Sequence, residues 1–257
     1  MIRAVSDLIA RIQEDLCKWD SRATPWFRGE SGDGPALQPK VARLSANQEN
    51  CLLQSFRRRA GSLANTPSRS ETDNWMFLAQ HYGIPTRLLD WSEGALFALF
   101  FAVNRKARNA RVYMLNPHVL NAQALGCEPD YLNFPISWSP SSGGPKPGYE
   151  NIALAWELRR EGRGFDLPVA LEPTYQDARM IAQRSAFTVH GKELGPLITI
   201  LQAHILDVSK FLFSYTVEDD ASDQILKELS WLGISYASIF PDLDHLCLDI
   251  ANRTACP

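Results

Sequence analysis

Little in this chain of 257 residues points to a metal, a disulfide or a membrane. Its five cysteines, Cys17, Cys51, Cys127, Cys247 and Cys256, are scattered and form no CxxC pair. That argues against a cysteine-built metal site and fits reduced thiols in a cytoplasm. Each reads as a small buried hydrophobe. Long apolar runs are missing too: Ala95 to Val103, the most apolar stretch, has about half the length that spans a bilayer. Arg3, Asp7, Arg11, Glu14 and Asp15 break up the first apolar segment, so no signal peptide is expected. Positive charge is not in excess. The net charge is -3 and the pI near 6.0, which excludes a surface that is basic throughout and built for nucleic acid. A local basic patch stays compatible with these numbers. The phosphate loop, the dinucleotide glycine fingerprint and HExxH are all absent. His118, His190 and His204 lack metal-ligand spacing and read as structural. The chain is expected to be cytoplasmic, to hold no metal and to make no contact with a membrane.

What is present is an ordinary globular mixture, 45% apolar and 21% charged, enough for a sizeable core in one domain over 1–257. Apolar residues at helical spacing predict a helix over 4–19. "WFRGE" (Trp26 to Glu30) predicts a short strand. Helices are expected over 47–60 and about 71–81, where Gly83 and Pro85 stop the second. "TRLLDWS" (Thr86 to Ser92) reads as a strand, and "EGALFALFFAVNRKA" as a helix apolar nearly all round and therefore buried. "ARVYML" (110–115) follows as a strand, an order that suggests an α/β unit. The stretch 126–150, rich in proline, glycine and serine, predicts a loop or lid. Strands are expected at 168–173, at 178–191 with a break near Gln183, and at 210–217. The segment "EDDASDQILKELSWLG" predicts a helix.

The densest polar constellation is "QHYGIPTRLLDWS". It places His81, Tyr82, Arg87, Asp90 and Ser92 at a helix end and along a strand. Alternation puts Leu88, Asp90 and Ser92 on one face and Arg87, Leu89 and Trp91 on the other. A carboxylate in so apolar a segment needs a partner, and Arg28 or Arg87 can serve. "PDLD" (241–244) could bind a cation through its two carboxylates, but a lone DxD in a turn most often caps a helix or is solvated.

Four segments, "WFRGE", "LAQHYGIPTRLLDWSEGALFALFFA", "AQRSAFTVHG" and "GISYASIFPDLDHL", resemble the FRG-domain family, named for a Phe-Arg-Gly triplet that here is Phe27-Arg28-Gly29. The resemblance covers about 20–250, and His245 departs from it where a small residue is expected. The chain also resembles ADP-ribosyltransferases in the order of its motifs. Arg28-Gly29 closes a strand, a second strand bearing Ser92 runs into a helix, and Gln183 opens a later strand. This likeness implies an α+β fold with a mixed, split β-sheet core flanked by helices. It implies NAD as substrate and transfer of ADP-ribose to a macromolecular acceptor, protein or nucleic acid, or plain NAD hydrolysis, by a toxin or phage-defence effector. An antitoxin or defence-system partner would accompany such a role. Catalytic roles fall to Arg28, His81, Asp90, Ser92 and Gln183, and NAD contacts to Arg28, Gly29, Tyr82, Arg87 and Trp91. Arg28 would grip the diphosphate while Gly29 lets it approach the backbone. Gln183 is neutral where the transferases use Glu or Gln, so Glu172 or Glu30 would supply any carboxylate. The alternative is a sensor that binds a nucleotide or phage component without turnover. A metal-dependent nuclease using Asp90, Asp242 and Asp244 is a third reading.

Overall fold

The computed structural model describes residues 1–254, apart from 33, 35, 64–65, 69–70, 126–127, 130–166, 174, 176, 192 and 205–206. The segment 126–150, read above as a loop or lid, therefore lies outside the described residues except for Glu128 and Pro129. Six strands form one antiparallel sheet: β1 (Trp26–Glu30), β2 (Leu88–Ser92), β3 (Arg111–Leu115), β4 (Val169–Leu171), β5 (Ser185–Val189) and β6 (Leu212–Thr216). Their order across the sheet is β4-β5-β2-β1-β3-β6. With helices on its faces this is an α+β fold.

The expected α/β unit takes an unusual form. β1 runs antiparallel to both β2 and β3, so those two are parallel to each other with β1 between them. Helix α4 (Ala95–Val103) makes the crossover and lies over β1. That position explains Gly29. A Cβ built there would sit 1.7 Å from the Ala98 carbonyl oxygen and 2.6 Å from the Ala102 nitrogen. The close approach expected at Gly29 is made by the backbone of a helix.

One side of the sheet carries two separate cores. Phe27, Val112, Met114 and the apolar helix α4 pack with α1 (Val5–Leu16) and with the amphipathic helix Ser222–Trp231. Leu88, Phe187 and Val189 pack instead with Met76 and Phe77 of α3 (Thr72–His81). On the opposite face Trp26, Leu89, Trp91, Tyr113 and Leu115 form a third cluster. The two-residue alternation of β2 is thus realised as expected, with Leu88 on one side and Leu89 and Trp91 on the other.

The seam between the halves of the sheet is narrow. β1 and β2 are in register at a single pair, Phe27 with Ser92, whereas β2 and β5 pair over five positions. Where the backbone ladder stops, Arg28 takes over. Its Nη1 donates to the Asp90 carbonyl oxygen at 2.7 Å. The split anticipated from sequence is thus one continuous sheet joined at its middle by one residue pair and a guanidinium.

Two expectations change, and the capping read for "PDLD" is met. Residues 178–182 are helical, not extended. The Asp177 side chain accepts the Met180 N–H at 2.9 Å, an N-cap ahead of good helix formers. The chain turns through Arg184, at φ +46°, before β5 begins. The C-terminal region forms helices Tyr236–Ile239 and Leu243–Thr254, and Asp242 of "PDLD" accepts the His245 N–H at 2.9 Å, an N-cap contact. Lastly, Cys17, Cys51 and Cys247 are exposed thiols and not buried hydrophobes.

Candidate functional site

The gap between the two cores, above the seam, is a cleft of about 830 Å³. It is lined by Arg28, Gly29, His81, Tyr82, Asp90, Trp91, Ser92 and Gln183, so eight of the nine residues singled out by sequence border one space. Positions as far apart in the chain as 28, 81 and 183 meet there because β1, α3, β2 and the turn before β5 all end on it.

Arg87 is the one that does not. It is fully buried on the other face of β2. Its Nε and Nη2 donate to the two Glu49 carboxylate oxygens at 2.6 and 2.9 Å, and its Nη1 donates to the Gly191 carbonyl. Such a bidentate pair leaves no group for a nucleotide. Glu49 comes from α2 (Ala46–Ala60), and nothing in its sequence context marks it as buried. His190 lies against the same pair, donating its backbone N–H to the Arg87 carbonyl. Burial, with Arg87 and Arg28 adding to it, holds the His190 ring neutral by lowering its pKa to about 3.

Asp90 finds its partner in Arg28, with Nη1 3.8 Å from its Oδ2. Its side chain is 55% exposed, so the apolar surroundings expected from sequence do not enclose it. Gln80, which sequence reasoning passed over, donates to Asp90 Oδ2 at 2.8 Å and accepts from the Thr86 hydroxyl at 2.7 Å. Arg28 also donates Nε to Glu30 at 2.8 Å, and the Glu30 carboxylate accepts the Leu37 N–H as well. Two of the Arg28 nitrogens are therefore engaged within the protein.

Ser92 lines the cleft, but its hydroxyl is engaged. It donates to the Gln183 carbonyl at 2.7 Å and accepts the Gly94 N–H at 3.0 Å, tying β2 to the turn before β5 and to the start of α4. The Gln183 amide donates to the Ile239 carbonyl at 3.2 Å. Trp91 is buried, its indole N–H donating to Thr188 on the far face, so of Tyr82 and Trp91 the one open to the cleft is Tyr82, 62% exposed.

His81 is held differently. Its Nδ1 lies 3.0 Å from Asp177 Oδ2, while the other oxygen of Asp177 caps the following helix. A carboxylate at Nδ1 places the proton there and leaves Nε2 as an acceptor. Asp177 carries no signal in the sequence beyond its capping position.

The cleft is also electropositive. Arg28, Lys40, Arg43, Arg105 and Arg179 line it, against the carboxylates of Glu30 and Asp90, a surplus of three positive charges among the described residues in a chain whose net charge is -3. Sequence reasoning left a basic patch open without locating it, because its members come from four separate segments.

Glu172, named above as a possible carboxylate, does not line this cleft. Burial pushes its carboxyl up to about 7, and the nearby Glu93 carboxylate adds to the shift. The folded state then binds a proton more tightly than the unfolded chain, so the contribution of Glu172 is greatest below about pH 4.5 and is lost as pH rises to about 7. Unfolding by urea at pH 5 and pH 7 checks this: Glu172→Gln should reduce the fall in stability between them, and an unchanged fall would reject the assignment.

Among the described residues no group of three or more His, Cys, Asp or Glu is placed to hold a metal ion, and no helix is long and apolar enough to cross a membrane. No curated protein and no solved structure matches the chain. A family model does match over residues 23–111, that of the FRG domain. The match takes in β1, α2, α3, β2 and α4 and stops at the first residue of β3.

Proposed function

Since the chain carries an FRG domain across residues 23–111, with the seam of the cleft inside it, we propose that this cleft binds NAD and cleaves its nicotinamide–ribose bond. ADP-ribose then passes to a macromolecular acceptor or to water, in the service of a toxin or phage-defence effector in the cytoplasm. The observation that carries this reading is the convergence of Arg28, His81, Tyr82, Asp90, Ser92 and Gln183 on one electropositive cleft. A volume of about 830 Å³ falls in the range of small-molecule and cofactor sites.

The chemistry assigns a task to three groups of the cleft. Tyr82 offers a face for the nicotinamide ring. As the C1′–N bond breaks, its electron pair leaves with nicotinamide and positive charge develops on the ribose. The Asp90 carboxylate, steadied by Gln80 and Arg28, stabilises that charge. The acceptor oxygen attacks C1′, and His81 Nε2 takes its proton, with Asp177 holding the ring in the required tautomer.

Incubation of the folded protein with NAD, followed by chromatography of nicotinamide, tests this. Release is expected, and His81→Gln should slow it by about 10²-fold. No release from folded wild type would sink the reading. A second reading is favoured by one observation: among the described residues both carboxylates of the cleft are already engaged, Glu30 with Arg28 and the Leu37 N–H, and Asp90 with Gln80. On that reading the site is a sensor that binds a nucleotide without turnover, and thermal stabilisation by NAD recovered intact would select it.

A further inference from the structure

Arg28 is the obvious phosphate ligand by sequence, yet two of its three nitrogens are taken by the seam, Nε by Glu30 and Nη1 by the Asp90 carbonyl. Three other cations of the cleft are not spent. Lys40, Arg43 and Arg105 make no ion pair and no side-chain hydrogen bond among the described residues. They come from the short 3-10 turn Lys40–Arg43 and from the chain just after α4. Like charges brought to one concave surface repel each other unless an anion lies between them.

The same cleft is lined by Ser31, Gly32 and Gly34. Gly32 has φ +98°, and a Cβ built at Gly32 or Gly34 would meet nothing within 4 Å. Unlike Gly29, these glycines are not required by packing inside the protein. Their open backbone can approach a ligand.

We infer that Lys40, Arg43 and Arg105, with Ser31, Gly32 and Gly34, form a diphosphate-binding subsite of the cleft, separate from Arg28. The ligand class is a small nucleotide diphosphate, bound with its anionic centre at this end and its base or nicotinamide towards Tyr82 and His81. This rests on the nucleotide reading above and changes which residues hold the phosphates. It also gives Arg28 a different part, as the residue that keeps the Asp90 backbone and carboxylate in place.

Calorimetric titration of the full chain with inorganic pyrophosphate tests it. Wild type should bind, more weakly as salt is raised. Lys40→Gln, Arg43→Gln and Arg105→Gln should each weaken binding by about tenfold, the size of one charge-assisted contact. Arg11→Gln, the same charge change on α1, should leave it unaltered. All these side chains but Arg28 are exposed, and circular dichroism verifies the fold of each variant. Absence of pyrophosphate binding overturns the proposal. So does loss in Arg28→Lys with retention in the three glutamine variants. ADP-ribose should compete with pyrophosphate; displacement by a single-stranded oligonucleotide but not by ADP-ribose would assign the cations to a strand backbone and overturn it as well. Pyrophosphate binding without nicotinamide release would defeat only the proposed reaction, and nicotinamide release without pyrophosphate binding would defeat only this subsite.

Discussion

Gly29→Ala should prevent the protein from reaching its native state. The added methyl would lie 1.7 Å from the Ala98 carbonyl oxygen, 2.6 Å from the Ala102 nitrogen and 2.8 Å from the Ala98 carbonyl carbon. All three are backbone atoms of α4, so no side chain can swing aside. Relief requires α4 to lift from β1, and α4 is the helix whose Leu99, Phe100 and Val103 fill the core on that side. Overpacking of a core by one methylene usually costs about 1–3 kcal/mol. Here the obstacle is rigid, and the loss should exceed about 4 kcal/mol, at the far end of what single substitutions do. Soluble yield and the urea midpoint report it. A variant that folds with a midpoint close to wild type would show that α4 does not lie where it is described. Ser and larger residues at this position should fail in the same way.

The second large effect is expected at Glu49. Glu49→Ala removes the carboxylate that meets Arg87 Nε and Nη2, leaving a guanidinium with no exposed surface and only the Gly191 carbonyl as its recorded acceptor. Breaking a buried pair from one side costs about 3–5 kcal/mol, because the remaining charge stays desolvated. Replacing both partners tells a different story. Glu49→Leu with Arg87→Met keeps the volume roughly filled and removes both charges, and much of the loss should return. Equilibrium unfolding of the two singles and the double measures the coupling. Strictly additive losses would mean that the pair is not a unit. Nicotinamide release, measured on samples that remain folded, should survive the double substitution, since neither residue lines the cleft.

These two sites also show where sequence reading succeeds and where it stops. The strand at 26–30, the apolar helix after Ser92, and the alternation along β2 follow from local composition and a period of two, and they appear in the structure close to their expected places. Local information also flags Gly29 as a point of close approach. It does not say that the neighbour is Ala98, because α4 reaches β1 only through the insertion of β1 between β2 and β3. The same limit applies to Arg87. Its strand and face are legible, but its partner lies 38 positions away on a helix with ordinary polar composition. At 178–182 the pattern is ambiguous, since four apolar or small residues around Arg179 suit a strand or a helix, and Asp177 as a cap decides it. Of the candidate site, the residues named from the central block, Arg87 apart, line one cleft. The cations that set its electrostatics were not legible, because Lys40, Arg43, Arg105 and Arg179 belong to segments with no shared pattern.

The placement of β1 has a consequence for synthesis. The strand sits in the middle of the sheet, yet its first partner, the stretch around Ser92, lies 65 positions further along and its second, Arg111–Leu115, further still. At roughly 5–20 residues per second, the nascent strand waits about 3–13 s for β2 and longer for β3. During that interval two aromatic residues of a future central strand are without their neighbours, the condition under which chains associate wrongly. Arg28, Gly29 and Glu30 occupy three of its five positions, and a charge of each sign beside a glycine discourages edge-to-edge pairing with another copy. The residues that later stitch the seam thus keep the unfinished strand soluble while it waits.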